Sequence, residues 1–129
     1  MRRIATLLLV LILAAPAAAG AAGGDKKSQS PYLQLPSVAA SVLRGGGRRG
    51  VMTVEVGIDA PDASLRDRVQ LVQPILRDAF VSVLQPYALS ISPGSPPSAD
   101  YIAMTLQHET DRVLGRRGAR LLLGSILIN

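Results

Sequence analysis

Two stretches in the first half of the chain alternate apolar and polar residues with the period of a β-strand. In residues 51–58 the apolar positions fall on one face, as a half-buried strand requires; they are Met52, Val54, Val56 and Ile58. Residues 35–43 also alternate and predict a second strand, although the alanine and serine residues in this stretch are poor strand formers. Between them, residues 44–50 (RGGGRRG) contain glycines that permit the positive φ angles of a tight turn. The pattern therefore predicts a β-hairpin.

Helical spacing begins after a turn at residues 59–62. Apolar residues recur every three or four positions over residues 65–84; the series includes Leu65, Val69, Val72, Leu76 and Phe80. Ser64 and Asp67 resemble a capping box, and Asp62 is an alternative cap. Pro74 lies inside this series and predicts a kink, since proline deletes a helical hydrogen bond. We nevertheless expect one helix, because the apolar period continues across the proline.

The second half of the chain predicts a loop, a second helix and a last strand. Residues 85–97 contain four prolines, which predicts a loop. Ser98 is a suitable N-cap for the second helix, and Gly115 is a stop signal. Residues 121–128 are almost continuously apolar, which favours a central strand covered on both faces. The order β-β-α-α-β predicts an α+β (mixed α/β) fold, with one small sheet packed by two helices.

The N-terminal segment carries the features of an export signal. Residues 1–19 comprise a short cationic start, an apolar run and a small-residue site, which predicts a secretion signal cleaved between Ala19 and Gly20. The alternative is a single membrane anchor, because residues 4–22 approach the length of a span. Arg2 and Arg3 leave the twin-arginine route open beside the general one. We predict a flexible linker at 20–31, a domain at 32–129, and a periplasmic protein or a single-span inner-membrane protein that faces the periplasm.

Composition argues against catalysis and against nucleic-acid binding. The chain has no cysteine and one histidine, which excludes a disulfide framework and any cysteine nucleophile or metal ligand. A formal net charge of +5, part of it in the export segment, does not indicate a nucleic-acid partner. An enzyme hypothesis would need a pocket around His108 and Glu109. We expect these neighbours not to share a helix face, and His108 to be exposed. No catalytic, metal-binding or cofactor-binding residue and no cofactor are therefore predicted.

Several segments resemble the periplasmic domain of the flagellar basal-body-associated FliL family. Residues 32–36 (YLQLP) are similar to the start of that family's first strand, and residues 45–56 (GGGRRGVMTVEV) to its glycine/arginine turn and second strand. Residues 65–80 resemble the family's long helix with an internal proline. Residues 121–128 are similar to its last strand. The resemblance covers about residues 31–129.

The resemblance implies a stomatin-like domain without catalytic residues. It implies a bacterial scaffold that self-associates, contacts the stator proteins of the flagellar motor and supports motility, with possible inner-membrane association and no small-molecule substrate. On the residues themselves, the basic turn at Arg48 and Arg49 and the exposed strand face at Thr53 and Glu55 are the predicted protein contacts. The alternative function is a soluble, envelope-associated binding module of the periplasm, unrelated to motility.

Overall fold

An antiparallel sheet carries helices on one of its faces in the computed structural model, which describes residues 30–129. The strands are β1 (Tyr32–Gln34), β2 (Val38–Leu43), β3 (Arg49–Asp59) and β4 (Arg120–Ile128). The helices are α1 (Ala63–Leu71), α2 (Gln73–Ser90) and α3 (Ala99–Leu114). The predicted α+β class with a single sheet is confirmed. The predictions for the signal at 1–19, its cleavage between Ala19 and Gly20, and most of the linker at 20–31 concern residues outside the described range.

Strand β3 is the centre of the sheet. One edge of β3 pairs with β2 and the other with β4, so that Val54 lies between Val38 and Ile126. Further along, β1 takes the place of β2 beside β3. The predicted hairpin is thus confirmed, but the strand expected at 35–43 begins only at Val38, and β1 is a separate short strand that precedes the predicted range. The break between the two strands falls at Pro36, which has no N–H to donate to a ladder.

Strand β4 is not the central strand that its apolar sequence predicted. Among the described strands it pairs only with β3, and Leu127 is 55% exposed. A continuous apolar run is normally covered on both faces, yet the helices cover only one face of this sheet. The side chains of β4 that alternate away from the helices therefore remain accessible.

The predicted long helix is divided at Val72 into α1 and α2. Val72 has φ −102° and ψ 13°, and Pro74 lies in the first turn of α2. A proline is well tolerated there, because the first N–H groups of a helix have no intrahelical partner. The expectation of one kinked helix was wrong, since the apolar period also fits two helices that pack on the same core. Asp62 caps α1 by accepting from the Ser64 N–H at 2.9 Å.

The first six residues of the loop predicted at 85–97 are helix, and residues 91–97 form the loop. Helix α2 continues to Ser90 with Pro86 inside it, so the loop between α2 and α3 is shorter than expected. The loop was predicted from the four prolines alone. The apolar helical period in fact continues through Leu84 and Ala88, and the helix continues with it. Helix α3 begins and ends as predicted. The Ser98 hydroxyl accepts from the Tyr101 N–H at 3.2 Å, and Gly115 closes the helix with φ 73°.

The core lies between the even-numbered side of β3 and the buried stripes of the helices. Its largest fully buried side chains include Met52, Ile58, Leu65, Leu76, Phe80, Leu84, Ile102 and Leu106. Burial of each such side chain contributes about 1.5–3 kcal/mol. The helices thereby hold one face of the sheet and leave the opposite face, with the predicted contact residues, outside the core.

Candidate functional site

The outer face of the sheet is the side opposite the helices. It carries Leu43 and Ser41 of β2, Val51 and Thr53 of β3, and Leu127 of β4, which lie side by side in the register. Leu43 is 42% exposed, Val51 45% and Leu127 55%. No element among residues 30–129 covers these side chains. An accessible group of large apolar residues of this kind marks an interaction surface on many proteins.

Three of the four predicted contact residues lie on this outer face. The alternation of β3 places Arg49, Thr53 and Glu55 on the same side as Val51. Arg48 belongs instead to the turn that precedes β3, where its carbonyl accepts from the Arg44 N–H at 2.7 Å. The structure thus places Arg49, Thr53 and Glu55 along one face of β3, and Arg48 in the turn beside it. Their role as contacts stays a prediction.

Glu55 is occupied by a contact within the chain. Gly124 and Ser125 together oppose Glu55 in a β-bulge, because Val54 pairs with Ile126 and Val56 with Leu123. The Glu55 carboxylate accepts from the Ser125 hydroxyl at 2.7 Å and from the Ser125 N–H at 3.3 Å. The Ser125 hydroxyl is the main cause that lowers the pKa of Glu55 below its ordinary value. Sequence reasoning missed the bulge, although a Gly-Ser pair inside an apolar strand is a signal for one.

Tyr32 closes one end of the outer face. Its ring lies directly over Gly57, so that a Cβ at Gly57 would collide with the ring. The Tyr32 hydroxyl donates to the Gln34 side chain, whose amide in turn donates to the Val56 carbonyl at 3.2 Å. The open part of the β3 face therefore ends at Glu55. The open part of the face is the half nearest the hairpin turn.

Two glutamines from the helices each hold part of a free sheet edge. On the β2 edge, the Gln85 side chain accepts from the Ser41 N–H at 3.1 Å and donates to the Ser41 carbonyl at 3.3 Å. On the β4 edge, Gln107 accepts from the Leu121 N–H and donates to the Ala119 carbonyl, both at 2.8 Å. Occupied edge groups cannot pair with a strand of another chain. The edges are therefore occupied at Ser41, Ala119 and Leu121, and no sequence pattern distinguishes these glutamines from solvent-facing ones.

His108 and Glu109 meet despite their adjacency. The His108 Nδ1 lies 3.6 Å from a Glu109 carboxylate oxygen, although one side chain is exposed and the other is buried. The His108 side chain is 79% exposed, as expected, whereas Glu109 is buried. The Arg112 guanidinium donates to Glu109 at 2.9 Å and is the main cause that lowers the pKa of Glu109. A carboxylate held ionised in this way resembles a structural ion pair more than a general acid.

A second ion pair joins the two ends of the helical layer. Arg116, in the turn after α3, lies 2.6 Å from Asp62, the N-cap of α1. This contact, assisted by the Ser64 hydroxyl, lowers the pKa of Asp62. Both side chains are about half exposed. The pair therefore belongs to the scaffold of the fold rather than to a site.

Neither metal ligands nor known relatives mark a different site. In the described part of the chain, no three His, Asp or Glu side chains are grouped as a metal ion would require. None of the helices between residues 30 and 129 combines the length and apolarity needed to cross a bilayer. The search with protein-family models found no family that matches the chain, and the search of curated proteins found no match either.

Proposed function

We propose that this chain is a non-enzymatic scaffold of the bacterial periplasm that acts through protein–protein contacts on the outer face of its sheet. In this proposal it resembles the FliL family in role as well as in sequence. It supports the flagellar motor by self-association and by contact with stator proteins. Export by a cleaved signal places it in the periplasm; an uncleaved signal would hold it at the inner membrane, facing the same compartment.

The observation that carries the proposal is the accessible apolar strip formed by Leu43, Val51 and Leu127. Each is more than 40% exposed, and the three strands place them on one face. Large apolar side chains in one patch lose free energy when a second surface removes them from water, at about 25 cal/mol per Å². When one face of an antiparallel sheet is exposed to solvent, that face usually carries polar residues.

The charged and polar neighbours of the strip supply specificity. Arg49 and Thr53 lie on the same face as Val51, and Arg49 has no ion-pair partner among residues 30–129. A cationic side chain at the rim of an apolar patch favours partners that present a carboxylate beside an apolar surface. Because Glu55 is bound to Ser125, it stabilises the surface and is not the primary contact.

The test is the oligomeric state of the full-length protein, measured by analytical ultracentrifugation. Val51→Glu places a charge at the centre of the strip, and Ile75→Glu places the same charge on an exposed apolar residue of α2, away from the sheet. We expect self-association of the wild type and of Ile75→Glu, and a largely monomeric Val51→Glu. Equal association of all three proteins would show that the outer face is not the contact surface.

A further inference from the structure

A cleft of about 440 Å³ lies between the hairpin turn and the loop that joins α2 to α3. Its polar rim includes Arg44 and Arg48 from the two sides of the glycine turn, and Ser92 and Ser95 from the loop. Its floor is apolar and includes Val42 and Ile91, with Ile128 at one side. The volume is within the range of ligand-binding clefts in proteins. Of its lining residues, only Leu43 also belongs to the apolar strip used by the scaffold contacts proposed above.

Both charged side chains that line the cleft, Arg44 and Arg48, are positive. No acidic residue lines it, and neither Arg44 nor Arg48 has an ion-pair partner in the described part of the chain. Helix α2 ends at Ser90, next to the cleft, and contributes a partial negative charge of about half a unit. The full positive charges of Arg44 and Arg48 outweigh this partial negative charge. The cleft is therefore complementary to an anion, and the guanidinium fork is suited to a carboxylate.

The position of Arg44 is fixed by the hairpin. Its aliphatic stem lies across Gly50, where a Cβ would come within 2.7 Å of the Arg44 Cδ. Gly46 and Gly47 hold the turn with φ 75° and 73°, which keeps Arg44 and Arg48 at the same end of the sheet. A guanidinium whose stem is already packed loses less conformational freedom when it binds a ligand.

The backbone beside the cleft favours an extended peptide. The N–H and C=O of Ser41 face the free edge of β2, where Gln85 binds them. Since these directions alternate along an antiparallel strand, the N–H and C=O of Leu43 face the same free edge. Leu43 lines the cleft, beyond the reach of the Gln85 contact. An extended peptide offers a backbone donor and acceptor at the spacing of a strand edge, as well as side chains for the apolar floor.

We propose that the cleft between Arg44, Arg48 and the α2–α3 loop binds an extended segment of a partner protein in which acidic and apolar residues alternate. The carboxylates pair with the two arginines, and the apolar side chains rest on Val42 and Ile91. This inference rests on the proposed function for the kind of partner, a protein, and adds a second surface to the scaffold.

The test is fluorescence polarisation with the full-length protein and a labelled peptide of three alternating valine–aspartate pairs. Arg44→Gln combined with Arg48→Gln should weaken binding by about tenfold or more, because each charge-assisted contact is worth up to about a factor of ten. The matched control is Arg68→Gln with Arg77→Gln, which removes the same charge from exposed positions of α1 and α2. The control should bind like the wild type, and a valine–asparagine peptide should bind about tenfold more weakly. Circular dichroism of both double variants checks that the fold is retained.

Several results would overturn the inference. The neutral peptide could bind as tightly as the acidic one, or the control variant could lose as much binding as the cleft variant. The wild type could also fail to bind the acidic peptide, or the two cleft arginines could bind phosphatidylglycerol vesicles instead of the peptide. Failure of the proposed function gives a different result. If a deletion strain swims normally, the motor role is excluded whether or not the peptide binds. If swimming is lost but the peptide does not bind, only the proposed role of the cleft is excluded.

Discussion

Gln107 is expected to be one of the few partly exposed side chains on which the fold depends strongly. It connects α3 to the start of β4 through hydrogen bonds to the Leu121 N–H and the Ala119 carbonyl, both at 2.8 Å. Its amide also donates to Asp111 at 3.0 Å on the same helix. Gln107→Ala removes all three bonds and leaves two backbone groups of the β4 edge without a protein partner.

The expected loss follows from these bonds. Each of the two backbone hydrogen bonds contributes about 1 kcal/mol net to the free energy of unfolding. The bond to Asp111 adds a few tenths of a kcal/mol, as is usual for side chains four residues apart on a helix. The higher helix propensity of alanine offsets a similar amount. Gln107→Ala should therefore lower the free energy of unfolding by about 2 kcal/mol, or the melting temperature by about 8–16 °C.

Urea unfolding followed by circular dichroism measures this loss, with Gln70→Ala as the control. Gln70 is an exposed residue of α1 without a side-chain hydrogen bond in the structure, so its replacement gains only helix propensity. Amide exchange at the Leu121 N–H reports the local effect and should accelerate in Gln107→Ala alone. A loss below about 0.5 kcal/mol together with unchanged exchange at Leu121 would refute the assignment of Gln107 to the sheet edge.

Three further predictions concern the core, a helix cap and the acid limb of stability. Phe80→Ala should lower the free energy of unfolding by about 3–5 kcal/mol in urea titrations, because the side chain is 1% exposed; a loss under 1 kcal/mol would contradict its place in the core. Ser98→Ala should cost about 1 kcal/mol in the same titrations, since it removes the cap of α3, and an unchanged midpoint would argue against that cap. Arg116 lowers the pKa of Asp62, so the ion pair stabilises the fold above the ordinary aspartate pKa of about 3.9 and this contribution is lost as pH falls through the lower folded-state pKa. Asp62→Asn should therefore reduce the melting temperature at pH 7 and approach the wild type near pH 2, whereas Asp67→Asn should differ little at either pH; parallel curves for Asp62→Asn and wild type would refute the linkage.

The sequence was most informative where one periodicity had one structural solution. The alternation at Met52 to Ile58 predicted both the strand and its buried side, since a half-buried strand has few alternatives. The cap at Ser98 and the stop at Gly115 were predicted by local chemistry that needs no tertiary context. These features of the sequence indicate the α+β class and place Thr53 and Glu55 on the exposed face of the strand.

The errors arose where a local signal depends on its surroundings. Pro74 breaks a helix only if its missing hydrogen bond is needed, and the first turn of α2 does not need that bond. Pro86 lies inside α2, which continues to Ser90 despite the lost bond. The apolar run of β4 does not reveal whether one face or two will be covered. The roles of Gln85 and Gln107 were invisible for a similar reason, because a glutamine that binds a strand edge follows the same helical spacing as one that faces water.

The candidate surfaces show the same limit. The basic turn was evident from its arginines, but only the packing of the α2–α3 loop against it creates a cleft beside Arg44 and Arg48. Likewise, Glu55 was expected to be a free contact, and the bulge at Gly124 converts it into a bond within the sheet. Residue type predicted where charge would lie, and tertiary packing decided which charges remain available to a partner.

The most direct test of the proposed function is swimming in soft agar by a clean deletion strain, with flagellar filaments counted by electron microscopy. The account predicts filaments in normal number, weak or absent swimming, and restoration by the full-length gene and by Ile75→Glu but not by Val51→Glu. Normal swimming of the deletion strain would contradict the motor role and favour an envelope-associated binding module. Full restoration by Val51→Glu would contradict the outer face of the sheet as the surface that acts.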